Sequence, residues 1–234
     1  MSPEPDVRVL DDPAQAAAEL LSRASGHVAL TGGSTPRAAY ERVAQLRHDW
    51  SGVDVWFTDE RCVAPDHEHS NFGMAERALL AHVEGANVHR MRGELGPGEG
   101  AAEYERELEE AFGDDGIPEL DLVLIGLGPD AHVCSLFPGD DALGERERAA
   151  VGVDTPGMAP LVSRITLTLP VVNAARAVVF LVTGEDKADA MARAFAGPPD
   201  PRAPGSLVRP EPGTLTVLAD AAAAARLDPG GARG

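Results

Sequence analysis

The chain has 234 residues, of which 44% are hydrophobic and 25% are charged, a balance typical of a soluble globular protein with one large α/β domain or two small ones. Its 38 acidic and 20 basic residues give a formal net charge of -18, which opposes binding to nucleic acid. No apolar run approaches the roughly 20 residues that a membrane helix needs. Because only two cysteines are present, we expect a cytoplasmic protein without a disulfide framework.

Helical and strand-like segments alternate along the chain. Asp12 and Pro13 are typical of a helix start, an N-cap followed by proline, for the segment AQAAAELLSRA. The strand HVALT leads into the turn GGSTP, where Ser34 or Thr35 can cap a helix that starts at Pro36. The pattern then predicts, in order, the strand VDVWFT, a polar loop over 59–70, a helix from Asn71, the strand VHRM, the helix AAEYERELEEAF, the strands LDLVLIGL, RITLTL and AVVFLVT, the helix EDKADAMARAF, the strand LTVLAD and the helix AAAAARL.

This alternation predicts a mostly parallel sheet with helices on both faces, in a single domain over residues 1–234. Stretches rich in glycine and proline near 93–100, 138–160 and 197–213 are predicted to be loops. The last two are long enough to be mobile lids or disordered segments. We also expect residues 228–234 to fray.

The first candidate site is LTGGSTP, residues 30–36. Its two glycines let the backbone approach a ligand closely, and the helix N-terminus that follows offers free N–H groups and partial positive charge to a phosphate. The motif lacks the Gly-Lys-Ser/Thr of a nucleotide-binding loop and the GxGxxG of a dinucleotide-binding loop. A phosphate site is one interpretation, and a tight turn with a capping hydroxyl is the other.

Charged residues follow other predicted strands. WFTDERCV brings Asp59, Glu60 and Arg61 to the end of a strand, and SRITLTLP contains Arg164. VTGEDKADAM places Lys187 in the first turn of a helix, where a cation opposes the helix dipole unless an anion lies nearby. Each of these residues also has a plain interpretation as a solvated surface charge.

The segment DLVLIGLGPDAHVCSLFPGD, residues 121–140, begins as a buried strand and ends in Gly, Pro, Asp and His. Ligands of open α/β sheets bind outside the carboxyl ends of the strands, which directs attention to Asp130 and His132. A histidine can serve as a base near neutral pH, and Asp130 or Glu60 could fix its tautomer. Ser135 lacks the GxSxG context of a nucleophilic serine, so a structural role is favoured for it.

Six segments, taken in order, resemble the motifs of the 6-phosphogluconolactonase family, whose relatives include the glucosamine-6-phosphate deaminases. They are GGSTP, DER, SNFG, GLGPDAHVCSLFPG, RITLT and GEDKA, and they cover nearly the whole chain. The resemblance implies a three-layer αβα sandwich of Rossmann-like layout. It also implies hydrolysis of 6-phospho-D-glucono-1,5-lactone to 6-phosphogluconate, in the oxidative pentose phosphate pathway, without a metal or other cofactor. The expected partner is a small phosphorylated lactone, and we expect a monomer or weak homodimer.

The resemblance also implies roles for individual residues. The candidate catalytic residues are His132, Asp130 and Glu60. The candidate substrate-binding residues are Gly32, Gly33, Ser34, Thr35, Asp59, Arg61, Arg164 and Lys187. For the oxyanion of the reaction we expect either backbone N–H groups of the 130–136 turn or Arg61.

Three positions depart from the pattern of the family: Val133 and Cys134 stand where Thr-Ala is common, and the third is Ala131. Ala131 stands where the family usually has glycine, between the aspartate and the histidine. If the backbone there has a positive φ, alanine costs about 1 kcal/mol or more, and the turn is slightly remodelled. The histidine itself is retained.

Two other functions remain open at this point. A sugar-phosphate isomerase or deaminase would more typically read Asp-Glu-Tyr at 59–61 and carry a glutamate near Phe137, which here is flanked by Leu136 and Pro138. A sensor domain without catalysis would normally carry a DNA-binding helix-turn-helix and a basic face, and the sequence indicates neither. Whether Cys62 and Cys134, each beside a candidate segment, form a redox pair is also open.

Overall fold

The computed structural model describes residues 4–113 and 116–227, so the predicted fraying of 228–234 lies outside the described residues. Its main element is a seven-stranded sheet in which every pair of neighbouring strands is parallel. The strands are β1 (Asp6–Val9), β2 (Gly26–Leu30), β3 (Val53–Phe57), β5 (Asn87–Val88), β6 (Leu122–Ile125), β9 (Ala177–Val182) and β10 (Thr214–Ala219), in the spatial order β1-β10-β9-β6-β2-β3-β5.

Helices flank this sheet, as the alternating pattern predicted. They are α1 (Pro13–Leu21), α2 (Ser34–Leu46), α3 (Asn71–Ala78), α4 (Pro97–Phe112), α5 (Leu169–Ala174) and α6 (Ala188–Phe195). Every residue of β6 is buried, which requires cover on both faces of the sheet, so the three-layer α/β prediction is confirmed. In the described ranges, none of the helices is long and apolar enough to cross a bilayer.

A second, smaller sheet was not predicted. It contains β4 (Asp59–Arg61), β8 (Arg164–Leu167) and β7 (Ala150–Val153), paired antiparallel in that order. The prediction of a loop from residue 59 is therefore wrong over β4, and the prediction of a mobile or disordered 138–160 is wrong over β7. Strands of three and four residues give little periodic signal, and their stability comes from pairing with the fully buried β8.

Two predictions at helix ends are also wrong. Helix α2 begins at Ser34 rather than Pro36, with Gly33 as its N-cap at φ 115° and no side-chain cap. The segment AAAAARL forms turns over 221–226 instead of a helix. There the Asp220 carboxylate accepts hydrogen bonds from the N–H groups of Gly184 and Ala223, which ties the segment to the end of β9. The predicted start of α1 is confirmed, because Asp12 accepts from the Gln15 N–H at 3.1 Å.

Candidate active site

The candidate segments meet at one edge of the parallel sheet. Strands β2, β3, β6 and β9 are all parallel, so their carboxyl ends deliver Gly32–Thr35, Asp59–Arg61, Gly128–His132 and Gly184–Lys187 to the same side of the molecule. The Thr35 hydroxyl lies 2.7 Å from that of Thr183, which joins the turn after β2 to the end of β9. The juxtaposition expected from strand ends is thus present.

His132 and Asp130 form a hydrogen-bonded pair. The His132 Nδ1 lies 2.5 Å from the Asp130 Oδ1, and the same oxygen accepts the His132 backbone N–H at 3.1 Å. A carboxylate only accepts hydrogen bonds, so this contact assigns the ring proton to Nδ1 and leaves the lone pair of Nε2 free. The imidazole is 17% exposed and packs on Phe137, with ring centroids 4.6 Å apart.

Gly128 and Asp130 pack closely against the histidine ring. Gly128 faces it so closely that a Cβ there would lie 2.0 Å from the His132 Nδ1, which explains the glycine. Partial burial raises the pKa of Asp130, but the hydrogen bonds and the charge interaction with His132 outweigh it and the net pKa is lowered. Asp130 is therefore an ionised partner for the ring at neutral pH.

The turn between these two residues has the backbone conformation that glycine favours. Ala131 is fully buried at φ 69°, so the cost anticipated from the sequence applies. Its N–H donates to the Gly128 carbonyl at 2.9 Å and its carbonyl accepts from the Gly205 N–H at 2.8 Å. Arg193 adds a hydrogen bond of 3.2 Å to the Asp130 carbonyl. These contacts hold the turn in its strained form.

Replacing Ala131 with glycine is expected to change the free energy of unfolding by less than about 1 kcal/mol. Relief of the left-handed strain, about 1 to 2 kcal/mol, nearly offsets the lost methyl burial and the greater chain entropy of glycine, which cost about 1 kcal/mol each. The matched control is Ala75→Gly, at a buried position in the ordinary helical backbone of α3. Urea unfolding of both variants measures the difference, and equal losses of stability would contradict the strain at Ala131.

The Glu60 carboxylate accepts hydrogen bonds from the N-terminus of α3 rather than contacting the histidine. It is 2% exposed, and its carboxylate accepts the backbone N–H groups of Arg61, Asn71 and Phe72 and the Ser70 hydroxyl, at 2.7 to 2.9 Å. Burial raises the pKa of Glu60, and these hydrogen bonds partly oppose the rise. Of the two carboxylates considered for orienting His132, the structure joins Asp130 to the ring and directs Glu60 to a helix N-terminus.

Replacing Glu60 with glutamine is expected to lower the free energy of unfolding by about 1 to 3 kcal/mol, the cost of a buried donor without an acceptor. Each carboxylate oxygen faces at least one backbone N–H, so the amide NH₂ group opposes a donor in either orientation. Urea unfolding measures this loss. The control is Glu68→Gln, an exposed residue of the loop that follows β4, where we expect a change within about 0.5 kcal/mol. A comparable change in both variants would refute the capping role.

Asp59 connects three of the converging segments. Its carboxylate is 5% exposed and accepts from the Ser135 hydroxyl at 2.7 Å and from the Asn71 amide at 3.2 Å. Asn71 in turn lies against Gly32, where a Cβ would stand 1.9 Å from its side-chain oxygen. The carboxylate predicted to contact substrate is therefore bonded within the protein, and Ser135 has the structural role favoured from the sequence. The sequence reasoning overlooked Asn71, although its motif SNFG was among the matched segments.

Arg61 and Arg164 lie side by side on adjacent strands of the small sheet. They are directly opposed in the β4–β8 register, which places their Cβ atoms about 5 Å apart. Arg164 is 4% exposed and donates to the backbone carbonyls of Met158, Pro160 and Val162. Burial lowers the pKa of Arg164, and the positive charge of Arg61 lowers it further.

The guanidinium of Arg61 keeps an unused donor. Its Nη1 donates to the His69 carbonyl at 2.7 Å, whereas its buried Nε has no hydrogen-bond partner within the described part of the chain. Two facing cations, of which one retains a free N–H, make a favourable site for an anion. This pairing of arginines is nonlocal, since residues 61 and 164 are joined only by the pairing of β4 with β8.

The remaining predicted residues occupy the expected strand ends. Lys187 ends a short 3₁₀ helix, Glu185–Lys187, after β9; its Nζ lies 3.4 Å from an Asp186 oxygen. Ser34 is exposed in the first turn of α2. Both Cys62 and Cys134 are free thiols, and burial raises the pKa of each.

Comparison with known proteins identifies the family and supports the fold. Residues 8–217 match the family described as glucosamine-6-phosphate isomerases/6-phosphogluconolactonase. A 6-phosphogluconolactonase of a Nostoc species is 41% identical over 206 residues, which cover 86% of this chain and 84% of the relative. The human 6-phosphogluconolactonase is 42% identical over 171 residues, covering 72% of this chain and 66% of the relative.

Solved structures agree with this result. A 6-phosphogluconolactonase from Trypanosoma cruzi superposes with a TM-score of 0.83 at 28% identity, covering 97% of this chain and 98% of that one. A monomeric glucosamine-6-phosphate deaminase has a TM-score of 0.79 at 18% identity, covering 96% and 100%, and so shares the fold. The extent of the family match and the identity to its members show that the chain belongs to the glucosamine-6-phosphate isomerase/6-phosphogluconolactonase family.

Proposed function

We propose that the protein hydrolyses 6-phospho-D-glucono-1,5-lactone to 6-phosphogluconate in the oxidative pentose phosphate pathway. The observation that carries the proposal is the hydrogen-bonded His132 and Asp130 pair at the sheet edge that also receives Arg61 and Lys187. The curated relatives described above bear the name of this activity. A base beside cationic side chains is the arrangement that hydrolysis of a phosphorylated lactone needs.

The reaction follows from the state of the histidine. A δ-lactone is an activated ester, so its hydrolysis needs a positioned water, a base and donors for the oxyanion. The free Nε2 of His132 takes a proton from the water as its oxygen attacks the C1 carbonyl. The tetrahedral intermediate then expels the ring oxygen, which receives that proton from the imidazolium as the C1–O5 bond breaks. Asp130 stabilises the imidazolium between the two steps.

Arg61 is the favoured donor to the oxyanion or to a nearby substrate oxygen. The alternative donors, backbone N–H groups of the 130–136 turn, are largely used, because those of Ala131, His132, Ser135 and Leu136 donate within the protein. The Nε of Arg61 carries an N–H that the protein leaves unpaired among its described residues, and because the residue is only partly buried, a rotation of the guanidinium would present this N–H to a substrate. We therefore propose Arg61 as a substrate contact, with Arg164, Lys187 and the turn Gly32–Thr35 holding the phosphate.

We also infer the setting of the reaction from composition. A net charge of -18 disfavours nucleic acid, so the proposed partner is a small phosphorylated lactone. We propose a cytoplasmic enzyme that is a monomer or weak homodimer, which light scattering across a concentration series tests directly.

The test of the function follows acid release from freshly generated 6-phosphogluconolactone, with and without the protein. We expect hydrolysis above the spontaneous rate, and the same rate in the presence of EDTA, since every proposed step uses side chains of the chain itself. Release of ammonia from glucosamine 6-phosphate would instead favour a deaminase. Tight binding of the lactone without turnover would favour a sensor and would overturn the proposal.

A further inference from the structure

The only two tyrosines of the chain make the same unusual contact at two strand ends. Tyr40 on α2 and Tyr104 on α4 are at most 1% exposed. The Tyr40 hydroxyl accepts the Thr31 N–H and donates to the Thr31 carbonyl, both at 2.9 Å. The Tyr104 hydroxyl accepts the Phe57 N–H at 2.8 Å and donates to the Phe57 carbonyl at 3.1 Å.

Each hydroxyl supplies the hydrogen bonds that a neighbouring strand no longer makes at that position. Phe57 lies two residues after Val55, whose carbonyl accepts the His89 N–H from the β5 side. Successive backbone groups alternate sides along a strand, so Phe57 points to that same side, where β5 has already ended at Val88. Tyr104 fills the vacated position.

At Thr31 the neighbouring strand β6 continues to Ile125, but it no longer pairs with β2. The pairing of β2 with β6 ends at Ala29, two residues before Thr31, and Tyr40 supplies the donor and acceptor that β6 no longer offers. Burial raises the pKa of both phenols, so each hydroxyl keeps the proton that it donates. A buried N–H and C=O would otherwise lack partners at each strand end.

These two strand ends lead directly into the proposed substrate-binding segments. Thr31 precedes the turn Gly32–Thr35, and a single residue separates Phe57 from Asp59–Arg61. We propose that Tyr40 and Tyr104 are positioning residues, whose hydroxyls fix the backbone from which the substrate-binding turn and Arg61 project. The inference rests on the function proposed above and adds to it two residues that touch no substrate.

The test compares Tyr40→Phe and Tyr104→Phe with matched controls on the same helices. Val43→Ala on α2 and Leu108→Ala on α4 shorten fully buried apolar side chains, which have no hydroxyl to bond a strand end. We expect kcat/KM for the phosphorylated lactone to fall about tenfold or more in each Tyr→Phe variant, because small displacements of binding groups have effects of that size. In Tyr40→Phe the change is expected mainly in KM. The controls are expected to lose stability with kcat/KM within about twofold of the unsubstituted protein.

Two outcomes would overturn the proposal. One is a Tyr→Phe variant that loses stability in urea while kcat/KM stays unchanged, and the other is an equal loss of kcat/KM in its control. If a variant does not fold, amide hydrogen exchange in the unsubstituted protein tests the contacts instead. Rapid exchange of the Thr31 and Phe57 N–H groups, while those of Leu30 and Trp56 are protected, would refute them. Absence of lactone hydrolysis in the unsubstituted protein would instead refute the function, so the two failures are distinguishable.

Discussion

Replacing His132 with alanine is expected to lower kcat by about 100-fold or more, the usual effect of removing a general base. The variant loses both the acceptor for the water proton and the donor to the leaving ring oxygen. The change is expected in kcat rather than KM, because the cations that hold the phosphate are unaltered. Initial rates of acid release measure the effect, after subtraction of the spontaneous opening of the lactone.

Two further substitutions provide a control and a comparison for His132→Ala. His67→Ala, in the exposed loop between β4 and α3, is the control and is expected to leave kcat unchanged. Asp130→Asn is expected to lower kcat by about as much as His132→Ala, since an asparagine amide can donate to Nδ1 and move the ring proton to Nε2, which removes the base. A His132→Ala enzyme with the kcat of the unsubstituted protein would exclude His132 as the base.

Replacing Arg164 or Lys187 with alanine is expected to raise KM for the phosphorylated lactone by about 10- to 100-fold, the effect of one hydrogen bond to a charged group. KM for unphosphorylated gluconolactone is expected to change far less, because that substrate lacks the group these cations bind. General damage to the site would raise KM for both lactones, so the ratio of the two increases in KM isolates the contribution of phosphate binding. Kinetics on both lactones with each variant measure it.

One control for this experiment keeps the positive charge at residue 164, and the other removes a cation outside the proposed site. Arg164→Lys keeps the positive charge and is expected to raise KM less than Arg164→Ala. Arg37→Ala removes an exposed cation, paired with Glu41 on α2, and is expected to leave KM for both substrates unaltered. Equal increases for the two lactones in the Arg164 and Lys187 variants would remove phosphate recognition from their role.

Local sequence patterns predicted the part of the site that local geometry builds. The apolar run of β6 followed by Gly, Pro, Asp and His placed Asp130 and His132 at a strand end, where the structure has them. The same reasoning placed Lys187 after β9. Such predictions succeed because a buried parallel strand fixes which end of the sheet its exit residues reach.

Contacts between distant segments could not be predicted in this way. The pairing of Arg61 with Arg164 depends on β4, a strand of three residues that is too short to show a period, and on its pairing with β8, which was predicted as a strand without a partner. The role of Glu60 depends on α3 beginning just where its carboxylate can accept the N–H groups of Asn71 and Phe72. Tyr40 and Tyr104 occupy ordinary apolar positions of amphipathic helices, and nothing in that periodicity indicates what their hydroxyls bond.

The facing arginines have a consequence for the release of 6-phosphogluconate. Hydrolysis converts a neutral ester carbonyl into a carboxylate, so the product carries more negative charge than the substrate, while a guanidinium stays protonated throughout. The cations that we propose as the binding site of the lactone are therefore expected to hold the acid at least as well, so that accumulated acid competes for the vacant enzyme. The surrounding excess of carboxylates, 38 against 20 cationic residues, acts in the opposite direction and drives the departing trianion outward.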